Sequence, residues 1–377
     1  MVSPISIPVA FMRGGTSKAL VFHARDLPPV PFDDPRTAWS EIFLRALGSP
    51  DPTGRQLNGM GGGLSSLSKV AVVGPSTHTD ADVDYTFAQV GIGDNVVGYR
   101  GNCGNISSAI GPFSVDEGLV YAQDGTATVR IHNTNTGKII VASFDVVEGR
   151  AAVEGRFAIQ GVSGTGAPIR LAFQHPGGAA TGRLLPTGQA ADRLELAGYP
   201  RGLPVTLLDV SNPVVFIAAA ELGLKGDEAP ASLAADPGLL ETFEAIRAAA
   251  ALAMGLVASE AEARTTLKNL PLVAVLSTPR DGASDIVTRM ISAGQPHKAT
   301  PLTGAMCLAA AVKLPGTIAH QLARPVAPDA DVRIAHASGS LPVSATVEER
   351  GNGFAVTEAI VYRTARRLMD GRVYLAP

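Results

Sequence analysis

Gly101-Asn102-Cys103-Gly104-Asn105-Ile106-Ser107-Ser108-Ala109-Ile110 is the stretch on which the reading of this 377-residue chain turns. A cysteine between glycine-bearing turn residues opens into small and apolar residues, the pattern of a turn leading into a helix with little side-chain bulk. A second stretch repeats it, with Thr303-Gly304-Ala305-Met306-Cys307 opening into Leu308-Ala309-Ala310-Ala311-Val312. Each follows an alternating segment, Asp82 to Val90 and then Asp285 to Ile291, where period-two spacing predicts a strand. Strand, glycine-bearing turn and small-residue helix with a cysteine near its start thus occur twice. Sheet can wrap such helices closely. The pattern predicts a duplicated α/β (α+β) domain, with a small-molecule site in the cleft between copies.

Other segments fit this plan. Thr126 to His132 and Lys138 to Val141 flank Asn133 to Gly137 and read as a hairpin, and Asp124-Gly125 is a further turn signal. Strands are predicted at Pro204 to Val210, Val214 to Ala218, Leu272 to Leu276, Val332 to His336, Val343 to Val347 and Phe354 to Tyr362. Pro35 to Leu47 reads as a helix with Asp34 as cap, Pro35 in the first position and a stripe of Trp39, Ile42, Phe43, Ala46 and Leu47. Another helix is predicted from Leu239 to Met254. Chain length favours two domains, placed at residues 1–185, completed by a C-terminal strand at 370–377, and at residues 186–369.

Composition narrows the function. A net charge of -3 with 17% charged residues offers no electrostatic reason to expect nucleic acid or an anionic membrane as partner. No apolar run reaches the roughly 18 residues of a membrane span, and Arg13-Gly14-Gly15 interrupts any leader-like block. Two cysteines far apart make a disulfide framework improbable, so a cytoplasmic location is the default. Gly91-Ile92-Gly93-Asp94-Asn95-Val96-Val97-Gly98 lacks the spacing of a dinucleotide fingerprint, there is no Gly-x-Ser-x-Gly elbow, and the histidines form no metal-binding pair.

Cys103 is the sharpest chemical signal. A thiol at a helix start feels the positive end of the peptide dipoles, which favours thiolate, and flanking glycines let backbone N–H groups approach a carboxylate. The alternative is a buried structural cysteine. Lys69 follows Ser65-Ser66-Leu67-Ser68 and leads into an apolar run. Partial burial would lower its pKa from about 10.4 toward a value useful for proton transfer, whereas a solvated strand-end lysine would keep it. Arg13-Gly14-Gly15-Thr16-Ser17-Lys18 gathers two cations, two hydroxyls and exposed amides suited to an anion, without the ending of a Walker A loop, or it is simply a basic turn. Cys307 is either a second acid or base facing Cys103 or helix core, and Ser211-Asn212-Pro213 is a ligand-facing turn or only a turn.

Taken together, Arg13 to Lys18, Asp51 to Gly63 leading to Ser68-Lys69-Val70, Asn102-Cys103-Gly104-Asn105 with Gly111-Pro112-Phe113, and Arg363-Thr364-Ala365-Arg366 resemble the PrpF family, from near one end of the chain to near the other. That family contains 2-methylaconitate, 3-methylitaconate and aconitate isomerases and 4-oxalomesaconate tautomerases. The resemblance implies a diaminopimelate-epimerase-like fold, two pseudo-symmetric domains each wrapping a mixed sheet around a central helix. It also implies cofactor-independent, metal-free proton transfer by Lys69 and Cys103 on a small polycarboxylate. Substrate contacts are expected from Arg13, Thr16, Ser17, Lys18, Ser65, Ser66, Asn102, Gly104, Asn105, Thr303, Gly304, Met306 and Cys307, and a homodimer or homotetramer is compatible with it. The chain departs from the family in Cys307, in Ala337 where many members carry proline, and in Ala19-Leu20 after the Thr-Ser-Lys run. The glycine-rich and cysteine motifs look closer to the methylaconitate and methylitaconate members. The rivals are a 4-oxalomesaconate tautomerase, a two-cysteine racemase using Cys103 and Cys307, and a non-catalytic dicarboxylate-binding protein.

Overall fold

In the computed structural model, the structure describes residues 5–28, 35–280, 282–351 and 353–375. The chain forms two compact units. The first comprises residues 1–99, 103–171 and 362–377, and the second 100–102 and 172–361. None of the described helices is long and apolar enough to cross a membrane.

In the first unit the strands Ser6–Gly14 and Ser17–His23 form a hairpin, and Ser17–His23 pairs in parallel with Lys69–Pro75. Lys69–Pro75 pairs antiparallel with Val83–Val90, which runs parallel to Gly125–Asn133. The predicted hairpin closes with Asn133 opposite Lys138 and runs on through Lys138–Val147. The C-terminal strand Ala365–Tyr374 returns to pair with Ser6–Gly14.

These strands surround the helix Gly104–Asp116, buried at every position from Gly104 to Val115. A helix is hidden on all sides only if its own residues stay small where strands come closest. A Cβ added at Gly111 would lie 2.7 Å from Phe144 and 3.0 Å from Ala142. On the outside, the helix Pro35–Leu47 packs Trp39, Phe43, Ala46 and Leu47 against Leu20, Phe22, Val70 and Val72. The predicted cap, Asp34, lies outside the described residues.

The second unit repeats the pairing scheme. Tyr199–Val210 and Asn212–Ala218 form a hairpin, Asn212–Ala218 runs parallel to Leu272–Ser277, and Leu272–Ser277 pairs antiparallel with Ile286–Ser292. Ile286–Ser292 runs parallel to Val332–His336, which pairs with Gly339–Arg350. The helix Leu302–Lys313 is the buried centre here. The duplication predicted from the two cysteine-bearing stretches is thus present strand for strand.

Local differences have simple causes. The helix predicted from Leu239 begins at Pro237, because Asp236 caps it by accepting the Leu239 N–H at 3.0 Å and proline suits the first turn. The second central helix begins at Leu302, so Thr303 and Gly304 are helical rather than a turn, and Cys307 lies more than one turn past the start.

Arg247, 3% exposed, anchors a polar network inside the second unit. It donates to the Ala263, Leu267 and Leu270 carbonyls and pairs with Glu244. Arg247→Leu strands these acceptors and is expected to cost about 3 kcal/mol of stability, read by urea unfolding. A change below about 1 kcal/mol would contradict this role.

Candidate active site

Cys103 stands at the N-cap of the first central helix with extended backbone, φ −110° and ψ 96°. Its carbonyl accepts the Ser107 N–H at 2.9 Å and the Ser107 hydroxyl at 3.0 Å. Its side chain makes no capping bond to the helix. The amides of Gly104, Asn105 and Ile106 precede that first helical bond, at the end of the helix where the dipoles favour an anion.

The turn Gly14-Gly15-Thr16 is pressed against this helix start. A Cβ at Gly14 would sit 2.5 Å from the Asn105 carbonyl oxygen, and one at Gly15 would sit 2.2 Å from Asn105 Oδ1, at φ +51°. The Arg-Gly-Gly-Thr-Ser-Lys run therefore carries glycines for close backbone approach. Asn105 Nδ2 donates to the Thr16 hydroxyl at 3.1 Å, and Arg363 Nε donates to Asn105 Oδ1 at 3.1 Å.

Arg363 also donates to the Tyr362 carbonyl, at 2.9 Å. It is buried with no carboxylate partner among the described residues, and burial pushes its pKa down to about 10, so it stays cationic at neutral pH. Arg13 Nη1 donates to the Gly15 and Thr364 carbonyls at 3.1 and 2.9 Å, so one of its nitrogens braces the turn. Lys18 lies over the Phe11 ring, 5.3 Å from its centroid, Ser17 is buried, and Ser65 and Ser66 form a short 3-10 turn ahead of Lys69.

Lys69 is 8% exposed, so the buried reading of this lysine holds. Burial lowers its pKa, and the nearby Cys103 acts in the opposite direction as a negative charge would. Nζ donates to Gln89 Oε1 and lies 5.2 Å from the centroid of the Phe87 ring. Lys69 and Gln89 are directly opposite in the antiparallel ladder. Residue-pattern reasoning did not single out Gln89. Its signal was present, because Gln89 continues the buried face of Val83, Tyr85 and Phe87 where an apolar residue is the norm. Arg363 opens the Arg363-Thr364-Ala365-Arg366 run, whose spacing does not indicate its role. Only the fold reveals that it is buried beside Asn105.

Arg13, Thr16, Ser17, Lys18, Ser65, Ser66, Lys69, Cys103, Gly104 and Asn105 all belong to the first unit. Asn102, Thr303, Gly304, Met306 and Cys307 belong to the second. There, Asn212 clamps Asn102, its Oδ1 accepting the Asn102 N–H and its Nδ2 donating to the Asn102 carbonyl, both at 2.8 Å. The same Nδ2 donates to Thr303 Oγ1 at 3.0 Å. Asn212 in the Ser-Asn-Pro turn is thus used internally. Gly304 faces Met290 and Leu272, and Met306 is fully buried. Cys307 is also fully buried, donates to the Leu208 carbonyl at 3.5 Å, and has its thiol pKa raised well above the usual range by burial.

Residues 4–376 match the family model described as PrpF protein. The chain belongs to the PrpF family. It is similar to the 3-methylitaconate isomerase of Eubacterium barkeri, with 39% identity over 100% of this chain and 98% of that protein. It is also similar to the 2-methyl-aconitate isomerase of Shewanella oneidensis, with 36% identity over 98% and 96% of the two chains. The crystal structure of a methylitaconate-delta-isomerase superposes with a TM-score of 0.75 at 38% identity, covering 99% of this chain and 96% of that one. A hydroxyproline epimerase from Agrobacterium vitis, at 13% identity and a TM-score of 0.60 over 99% and 93% of the chains, shares the epimerase-like fold. Kinship of this depth along the whole chain makes this PrpF-family member an isomerase.

The close approach at the helix start gives a direct test. Gly14→Ala drives a methyl into the Asn105 carbonyl and is expected to lower stability by about 1–3 kcal/mol in thermal or urea unfolding. An unchanged midpoint would show that the turn is not held against the helix.

Proposed function

We propose that the chain is a cofactor-independent isomerase that moves a C=C bond by a 1,3-allylic proton shift within a small unsaturated di- or tricarboxylate, of the kind that 2-methylaconitate and 3-methylitaconate represent. The observation that carries this reading is a buried lysine, its basicity lowered by desolvation, that feels the charge of a cysteine placed at a helix start in the same unit. The family relatives supply the substrate class.

In this mechanism the uncharged Lys69 amine removes a proton from the carbon next to the alkene. The electron pair flows through the allyl system onto the conjugated carboxylate, giving a dienolate. The amides of Gly104 and Asn105 hold the charge that develops there, with the hydroxyls of Ser17 and Ser66 as further donors. Arg363 keeps Asn105 in place and adds positive potential behind it. The Cys103 thiol then delivers a proton to the far end of the allyl system, and the double bond re-forms one position along. Lys69 is left as ammonium and Cys103 as thiolate, and solvent exchange restores both. In the reverse direction the roles swap. Arg13 or Lys18 holds a remote carboxylate.

Proton NMR of 2-methylaconitate, 3-methylitaconate, cis- and trans-aconitate and 4-oxalomesaconate with the enzyme tests the reading, since conversion of none of them would refute it. Lys69→Arg and Cys103→Ala are each expected to lower kcat by about 10²–10⁴ with the fold retained. The pH dependence has a definite sign. A base with a lowered pKa gains its free form as pH rises, so kcat/KM should climb and level off below the ordinary lysine range of about 10.4. A rate that climbs only within that range would remove Lys69 as the base.

A further inference from the structure

We propose that Gln89 is the positioning residue of Lys69, a neutral acceptor that fixes where the amine stands and which way its lone pair points. The inference rests on the reaction assigned above and adds to it a residue that family membership and motif do not designate.

The geometry leaves the Gln89 amide one orientation. Its Nε2 donates to two backbone carbonyls, Ser65 and Ser68, each at 3.1 Å. A carbonyl can only accept, so the nitrogen must face these two and Oε1 must face Lys69. The carbonyl frame is itself held. Ser68 Oγ donates to Gln56 Oε1 at 2.6 Å, Gly63 N–H donates to the same oxygen at 3.0 Å, and Gln56 Nε2 donates to Ser49 Oγ at 2.8 Å. Gln56 is 1% exposed and its N–H is taken by Asp51. A chain of fixed amides thus runs from the loop at Asp51 to the Lys69 nitrogen.

The chemistry explains why an amide stands here. An amine that gives one N–H to a fixed oxygen has its lone pair directed away from that oxygen, available to a carbon acid. A carboxylate at the same place would hold Lys69 as ammonium in a buried ion pair and remove it as a base at neutral pH. An apolar residue would leave the amine free to rotate. Among the described residues, Cys103 is the titratable group that acts on Lys69, and the other close neighbour is the uncharged Phe87 ring. Gln89 therefore orients the amine without supplying a counter-charge.

The test follows Lys69 itself. Acetylation of Lys69 by acetic anhydride, quantified by peptide mass spectrometry from about pH 6 to about pH 11, gives the midpoint at which the amine is freed. Gln89→Glu should move that midpoint up by about one pH unit or more, a roughly tenfold smaller free-amine fraction at lower pH. Gln89→Met, of similar length but without the acceptor, should move it down and lower kcat about tenfold or more with KM within about twofold. Shifts of opposite sign are not expected from a merely structural glutamine. Midpoints that coincide with wild type in both variants would overturn the inference, as would wild-type kcat in Gln89→Met. If Gln89→Glu does not fold, the Gln89→Met midpoint decides alone. If the wild type converts none of the acids while the midpoints still move, the positioning role stands and the assigned reaction falls.

Discussion

A helix enclosed by sheet on every side can exist only if the strands approach its backbone more closely than ordinary side chains permit. The Gly104–Asp116 helix meets that demand with glycine, serine and alanine where the strands are nearest, and with Ile106, Ile110 and Phe113 where space allows. Serine hydroxyls are accommodated by bonds back to the helix's own carbonyls, as Ser108 to Asn105 and Ser114 to Ile110. Close enclosure then dictates the rest. The preceding hairpin turn must carry Gly14 and Gly15, and the helix start, with three amides ahead of its first helical bond, is held against fixed neighbours.

Within that frame the electrostatics are unusual. Lys69 and Arg363 are both buried, and neither has an ion-pair partner among the described residues. Buried cations without carboxylates are costly in a structural role, because desolvation is not offset by an opposite charge. In the reaction proposed above, the compensating charge would arrive with the polycarboxylate. The two groups respond differently. Arg363 stays charged and is held by Asn105 and a backbone carbonyl, whereas the Lys69 amine gives up its proton more readily and so can serve as a base.

The two units share one strand plan but not one helix entrance. In the first, the chain reaches Cys103 in extended conformation and the helix starts after it. In the second, the helix has already begun at Leu302, which places Cys307 in the packed interior with its thiol bonded to a strand carbonyl. Duplication of the sequence pattern preserved the architecture while the environment of the two sulfurs diverged, and a symmetrical two-thiol chemistry loses its physical basis.

Much of this was legible in the residues. Alternation located the strands, including Val83–Val90 and Val332–His336, because a half-buried strand writes its two faces into successive side chains. Pro35–Leu47 showed its apolar stripe, and the paired small-residue helices revealed the duplication. Cys103 and Lys69 stood out because each is a reactive residue at the edge of a regular element. Helix starts were less legible where, as at Leu302, a glycine lies inside the first turn rather than before it. What the sequence could not reveal was every relation that depends on register between distant segments. Gln89 faces Lys69 only because two strands pair with those residues opposite, and Arg363 meets Asn105 only because the chain's last strands return beside its first. Local periodicity determined which elements form. The pairing of elements far apart in the chain, settled by burial and hydrogen bonding in three dimensions, decided which side chains share a site and how each is charged.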